Sequence, residues 1–334
     1  MRNAGGCGCL HDPIVDRVMR ITMEMPLQVS TVWEWAWVPI VLCAAFGRTV
    51  RNAAQRSLTE QAGTLPATLV RFLYGLPFSL LWVLLLWRAA GGLPIVTPAW
   101  AGWLTLGAVA QLGGTALLLM AMKQRNFVVS VAFSKTEPLQ VALFSLLVLH
   151  EAPSRISMLG MLIAMFGVIL LTCPKPGQHA AAASAGGRLG LSAVYGLGAG
   201  ASFALMAVGY RAAALHQPGI TPWLNGAWGV LWAQLIQSVL LGGYLVLTNR
   251  SGLLTIIRIW RFSLTVGTVG ALATIGELTA LALHGAADVR TLGLIEVLFS
   301  YLVSRKLLRE KLGAFERWGL TLVTSGLIVV CAQF

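Results

Sequence analysis

Charge is what this chain has least of. Asp, Glu, Lys and Arg make up 11% of it, against about 25% in soluble domains. Acidic residues are the scarcest, twelve in 334 positions, against 24 Lys and Arg. So little charge, with a mean hydropathy of +0.77, excludes an ordinary soluble globular protein. Catalytic signatures are also missing. There is no P-loop and no Gly-x-Ser-x-Gly elbow. His150-Glu151 begins a zincin-like motif, but Ser154 stands where the second His belongs. The cysteines, Cys7, Cys9, Cys43, Cys173 and Cys331, have no spacing that suggests a disulfide frame or a zinc site. Gly196-Leu-Gly198-Ala-Gly200-Ala201 copies a relaxed dinucleotide fingerprint. It lies in an apolar run with no strand before it, so close helix packing is the better reading. An enzyme is not expected, nor a metal site or a cofactor.

Long apolar runs are what the chain does have. A bilayer core of ~30 Å needs roughly 20 apolar residues per helix. Ten segments qualify, at about 33–56, 66–88, 98–122, 127–149, 154–173, 189–213, 223–248, 260–284, 287–307 and 313–333. Backbone polar groups in lipid must pair internally, and these runs do not alternate as barrel strands would. The expected class is therefore all-α, a polytopic membrane protein of ten transmembrane helices.

The chain also repeats itself. Glu137 and Glu151 bracket an apolar run, and 159 residues later Glu296 and Glu310 bracket another. Gly160 and Gly167 map onto Gly319 and Gly326 by the same offset. Each copy holds five spans, an odd number, so the second copy must enter the membrane from the opposite face. Inverted repeats of this kind are an architecture of secondary transporters. The division that follows is a tail at 1–32, a first repeat at 33–173, a linker at 174–188 and a second repeat at 189–334. The linker is rich in Pro, Gly, Ala and Ser, which suits a flexible connection. Residues 1–24 read as an unstructured tail or a misassigned extension before Met25, and no cleavable signal peptide is evident.

The excess of Lys and Arg sits mostly in short loops, where it sets topology rather than marking a nucleic-acid partner. Lys123, Arg125, Lys175, Arg188, Arg250, Arg258, Arg261, Arg309, Lys311 and Arg317 fall on one face by the span count. That count places both termini outside.

A charge at the bilayer centre costs at least about 2.5–3.5 kcal/mol, so intramembrane ions should face a polar cavity or a partner. Arg48, Arg51, Asn52 and Gln55 share one face of the first span, as cavity lining or as an interfacial stripe. Arg71 opens the second span. Ser130, Ser134 and Glu137 share a face of the fourth, with Lys135 pointing elsewhere. In the eighth, Thr274, Glu277 and His284 align; Glu277 is flanked by long apolar runs and reads as buried and unpaired, a candidate proton carrier. In the ninth, Glu296 lies deep, while Asp288 and Arg290 also suit end-of-helix charges. Gln111 joins the substrate-site candidates, although interhelical hydrogen bonding explains it equally well. Glu151 and Glu310 read as structural carboxylates at helix starts.

The run Phe133-Ser-Lys-Thr-Glu-Pro to Glu151, with Gly160 and Gly167, resembles the end of an EamA-type repeat of the drug/metabolite transporter superfamily. Leu294-Ile-Glu296 to Glu310, with Gly319 and Gly326, resembles its second copy, and Gly47 and Arg71-Phe72 resemble the start of the first. The resemblance covers about 25–334. It implies a central cavity, alternating access, export or exchange of small organic solutes, multi-pass insertion in a bacterial inner membrane and termini in the cytoplasm. That orientation opposes the loop-charge count, and the resemblance is followed here. Positions 207, 230, 294 and 297 are Ala, Val, Leu and Val where the first copy has Arg48, Arg71, Lys135 and Pro138, so the cavity need not be symmetric.

The expected function is secondary transport of a small polar metabolite, anionic or zwitterionic, such as an amino acid. The substrate-site candidates are Arg48, Arg51, Asn52, Arg71, Gln111, Lys135, Glu137, Glu277, Arg290 and Glu296. The alternative is a non-transporting membrane assembly subunit, whose polar stripes would face outward. Lipids are expected partners and nucleic acid is not; a coupling proton and a homodimer are left open.

Overall fold

A computed structural model describes residues 35–90, 92–122, 133–172, 189–308 and 314–333. The tail before residue 35, the linker, Ser130, Glu310 and much of the loop cation set lie outside the described residues. Every described element is helical. In chain order they are α1 (Trp37–Ala62), α2 (Thr64–Leu73), α3 (Leu76–Ala90), α4 (Pro98–Met122) and α5 (Glu137–Phe144), which runs into a π-helical turn at Ser145–Leu149. Then follow α6 (Arg155–Thr172), α7 (Leu189–Leu215), α8 (Pro222–Thr248), α9 (Arg250–Arg258) and α10 (Trp260–Leu283). The last are α11 (Ala286–Leu292), α12 (Ile295–Leu308) and α13 (Ala314–Cys331).

Five stretches among the described residues are long and apolar enough to cross a membrane: Thr64–Arg88, Pro98–Met120, Ala193–Leu215, Pro222–Thr248 and Trp260–Leu283. Shorter apolar helices lie at Glu137–Leu149, Arg155–Leu171 and Arg317–Cys331. Leu85, Leu147, Phe166, Val239, Ile328 and Trp318 are each more than half exposed. So much apolar surface on the outside is stable only against lipid. The chain is an all-α, multi-pass membrane protein.

Several helix boundaries follow from local chemistry. Pro39, Pro77 and Pro138 fall in the first turns of α1, α3 and α5. There a missing N–H costs little, and Pro77 follows a break inside the apolar stretch Thr64–Arg88. The second span does break at Tyr74–Gly75, where Gln234 of α8 packs within 2.8 Å of the space a Cβ on Gly75 would occupy. Gly63 alone separates α1 from α2 at φ 86°, a left-handed turn that suits glycine. Ser154 accepts from the Ser157 N–H at 3.0 Å and caps α6. The short α9 has one apolar face, with Ile256 buried and Arg250 and Arg258 at its ends. Its nine residues are too few to span, and they read as loop from hydropathy alone.

The helices pack mainly in pairs: α4 on α7, α1 on α10, α6 on α13, and α2 with α3 on α8. α5 leans on α7, while α11 and α12 lean on α1. The glycines of the sequence repeat meet each other. A Cβ on Gly160 would lie 2.7 Å from the Gly326 carbonyl oxygen, and one on Gly167 2.8 Å from that of Gly319. The pairing is crosswise, so α6 and α13 run antiparallel with backbones nearly touching. The main core joins Trp37, Leu104, Met161, Tyr210, Leu281 and Val323 from helices across the whole chain. A smaller core around Leu58, Leu69, Leu245, Ile256 and Val266 packs the far ends of α1, α2, α8, α9 and α10. An apolar groove of about 450 Å³ opens between α1 and α10, lined by Ile40, Cys43, Phe46, Leu272 and Gly276 among others. It carries none of the ions.

Candidate functional site

Buried ions must find partners, and here they find one another across five helices. Arg290 of α11 binds Glu137 of α5, with Nε 2.6 Å from Oε1, and also binds Glu277 of α10. The second oxygen of Glu277 accepts from Arg48 of α1 at 3.0 Å. Arg48 also donates through Nε to Glu296 of α12 at 2.9 Å. The other Glu296 oxygen accepts from Asn52 Nδ2 at 2.7 Å, and the Asn52 carbonyl accepts from Arg51 Nη2 at 2.8 Å. Seven of the ten candidates thus form one continuous chain of alternating charge, ending in an amide and a guanidinium.

Local structure explains how they converge. α1 runs unbroken through Arg48, Arg51 and Asn52, about 39 Å at ~1.5 Å per residue. The stripe is therefore interior and not a frayed interface: Arg51 is only 6% exposed. Glycines make room for the long cations. A Cβ on Gly293, where α11 gives way to α12, would lie 3.1 Å from Arg48 Nη2. One on Gly270 would lie 3.1 Å from Arg51 Cδ and 3.6 Å from Arg71 Cβ. Arg71 therefore stands beside Arg51, with its guanidinium over the Phe72 ring at 4.7 Å. Lys135, in the turn before α5, acts electrostatically on Glu296.

Two expectations need correcting. Glu277 is buried but not unpaired, since two guanidiniums from different helices bind its carboxylate. Helical periodicity shows which face a residue occupies but not which residue of another helix lies opposite. Arg290 is more than an end-of-helix charge: from the last turn of α11 it links Glu137 and Glu277. Asp288, only two residues earlier, points elsewhere. It binds Ser157 of α6 through one oxygen and His284 Nε2 at 2.8 Å through the other. A hydrolytic triad needs the imidazole between hydroxyl and carboxylate. Here the carboxylate is in the middle, so the cluster offers no activated serine.

Gln111 belongs to a separate hydrogen-bonded group. Its carbonyl accepts from Tyr210 Oη at 3.0 Å and from Gln237 Nε2 at 2.6 Å, tying α4 to α7 and α8. That favours the interhelical role over substrate contact. Glu151 is bound at 2.7 Å by Arg211, which also donates to the Leu281 and Ala282 carbonyls at the end of α10. Its partner is a side chain, not the following helix dipole, and Arg211 is a residue the sequence reading passed over.

The charge balance of the site is uneven. Arg48, Arg51, Arg71, Lys135 and Arg290 face three carboxylates, Glu137, Glu277 and Glu296. Among the described residues neither Arg51 nor Arg71 has a carboxylate within 4.0 Å. Arg51 has instead a like charge, Arg71, beside it. Two buried guanidiniums side by side without an anion are strained electrostatically, and an anionic group between them relieves it.

Residues 35–173 match the model of the EamA-like transporter family. In sequence, no curated protein matches the chain. In structure, the chain is similar to solved structures, among them a crystal structure at a TM-score of 0.62 and 16% identity, the likeness covering 89% of this chain and 98% of that one. That likeness is one of overall fold. With its apolar helices, the chain is a multi-pass membrane protein whose residues 35–173 are similar to the EamA-like transporter family.

Proposed function

We propose that the chain is a secondary carrier of small anionic or zwitterionic metabolites, built from two inverted five-helix halves at 33–173 and 189–334. The helix pairing supports the inverted arrangement. Numbering spans within each half, α4 on α7 sets the third span on the first, and α1 on α10 does so with the halves exchanged. The crosswise contacts Gly160–Gly326 and Gly167–Gly319 are equivalent under the same exchange. An axis that swaps antiparallel spanning helices lies in the membrane plane, which is the geometry of inverted repeats.

The observation that carries the substrate class is the pair Arg51 and Arg71. A substrate carboxylate placed between them takes the role of the missing anion. An ammonium group on the same solute has Glu296 within reach, the most exposed of the three carboxylates at 27%. Amino acids satisfy both ends. Transport then follows by rocking one half against the other, each exposing the ionic chain to a different face of the membrane. The bacterial inner membrane is the proposed location. The candidates also converge inward, the arrangement expected of a carrier and not of an assembly subunit with outward stripes.

The test is saturable uptake into liposomes containing the purified full chain. The probes are radiolabelled L-alanine, L-aspartate, succinate and putrescine, each with counterflow. Uptake of an amino acid or acid, with putrescine excluded, supports the reading. Uptake of putrescine alone, or of none of the four, overturns it.

A further inference from the structure

Among the described residues, Asp288 is the one buried carboxylate that the ionic chain does not use. Its environment differs from that of Glu137, Glu277 and Glu296. Each of those binds a guanidinium, which carries its charge at every physiological pH. Among the described residues, Asp288 reaches no Lys or Arg within 4.0 Å. Its partners are the Ser157 hydroxyl and the imidazole of His284, the one side chain whose unperturbed pKa lies near neutrality. The pair's net charge therefore depends on a single proton.

The position of the pair gives that proton leverage. His284 ends α10 and Asp288 lies in α11, either side of the short break at Gly285. Ser157 reaches in from α6, Gln333 donates to Ser157 from the end of α13, and the Trp37 ring of α1 stacks on His284 at 4.5 Å with planes 7° apart. Helices from both ends of the chain thus meet here. Other charged or titratable groups face the cluster. Among the described residues they are Cys331 of α13 near Asp288, and Glu151 beside Gly285 with its Arg211. On the ionic side of α11, two residues beyond Asp288, Arg290 clamps Glu137 and Glu277. A shift of this seven-residue helix moves Asp288 and Arg290 together.

We propose that His284 and Asp288 form a proton-binding site, separate from the substrate site, that couples a proton to the ionic chain through α11. A hydronium ion gives up a proton, its O–H bond breaking as an N–H bond forms on the imidazole; water is left, and the pair goes from net minus one to neutral. The loaded pair grips α11 as an ion pair; the unloaded pair leaves a buried negative charge that only neutral donors hold. The inference rests on the carrier reading for its coupling but not for its proton site.

Two measurements on the full chain in lipid test it. First, tryptophan fluorescence is followed from pH 5 to 8 without any solute, because a protonated imidazole stacked on an indole quenches it. We expect a transition in the parent that is lost in His284→Gln and in Trp37→Phe, and displaced to lower pH in Asp288→Asn. A parent without the transition, or a His284→Gln variant that keeps it, overturns the proposal. Second, liposomes with an imposed pH gradient are given the probe that the parent carries among L-alanine, L-aspartate and succinate. We expect gradient-driven accumulation to fall at least tenfold in His284→Gln, while counterflow at equal pH stays within twofold. Equal accumulation in parent and variant overturns the coupling. If the parent carries no probe, the carrier reading has failed, and with it the coupling, while the fluorescence transition still decides whether the proton site exists.

Discussion

Arg290→Gln is the sharpest test of the ionic chain. Arg290 reaches Glu137 at 2.6 Å and also holds Glu277. Glu277 keeps Arg48 at 3.0 Å when Arg290 is lost, but Glu137 has no other cation within 4.0 Å among the described residues. The Glu137 side chain is 14% exposed, so its charge is left largely desolvated. Breaking a buried pair from one side costs about 3–5 kcal/mol, and the orphaned carboxylate is the main reason. At roughly 2 °C per kcal/mol for a chain of this size, the melting temperature should drop by about 6–10 °C. Glu137→Gln in the same background removes the orphan and should return at least half of that loss. The assay is thermal unfolding of detergent-purified protein, run as a double-mutant cycle over the parent, the two single variants and the pair. If Arg290→Gln melts within roughly 1 °C of the parent, far below the ~3 kcal/mol floor, Glu137 is not a desolvated carboxylate held by Arg290. If the double variant is no better than Arg290→Gln, the loss has another origin.

Arg51→Gln should leave melting unchanged or raise it, since Arg51 binds only Asn52 and faces Arg71, while KM for a transported acid rises about tenfold or more, ~1.4 kcal/mol, in liposome uptake. Glu277→Gln should lower transport with folded protein retained, because the anion joining Arg48 to Arg290 is gone; full uptake in that variant refutes a role for the link. Gln111→Leu should cost about 1–3 kcal/mol in stability by taking the acceptor from the buried Tyr210 hydroxyl, while Gln237 keeps the Ala108 carbonyl, with KM unchanged; a shifted KM would return Gln111 to the substrate site. Gly167→Val should fail to yield folded protein, because its Cβ would meet the Val323 amide nitrogen at 2.6 Å, whereas Gly102→Ala, with open space around it, should behave as the parent by size-exclusion profile.

How much of this was legible in the sequence depends on what each signal encodes. Helical spacing put Arg48, Arg51 and Asn52 on one face, and hydropathy put Glu277 and Glu296 too deep for loops. Both are local properties of one helix, and both agree with the structure. The 159-residue offset picked out four glycines before anything showed that they touch. Partner choice was not legible. Asp288 and Arg290 look alike in sequence, yet one joins His284 and the other Glu277, because which neighbour lies opposite depends on helix register. The α9 helix was missed for a related reason: nine residues with one buried face give no hydropathy signal of a span. Arg211 was passed over as a loop cation, although α7 carries it to the carbonyls at the end of α10.

The uneven balance of charge itself discriminates among solutes. One unit charge ~4 Å from a guanidinium gains or loses about 4 kcal/mol at an effective dielectric near 20. Most of that offsets the cost of stripping water from the solute and from Arg51. The sign nevertheless survives: an anion beside Arg51 and Arg71 gains what a cation in the same place loses. A residual difference of even about 3 kcal/mol is a factor of over a hundred in affinity. The three carboxylates cannot undo this preference, because Arg48 and Arg290 already occupy Glu277 on both oxygens and Arg290 occupies Glu137. Only Glu296, shared between Arg48 and Asn52, is accessible enough to accept an ammonium. A solute that brings a carboxylate to Arg51 and Arg71 and an ammonium to Glu296, joined to Arg51 through Asn52, leaves fewer charges unmatched than one that brings either alone.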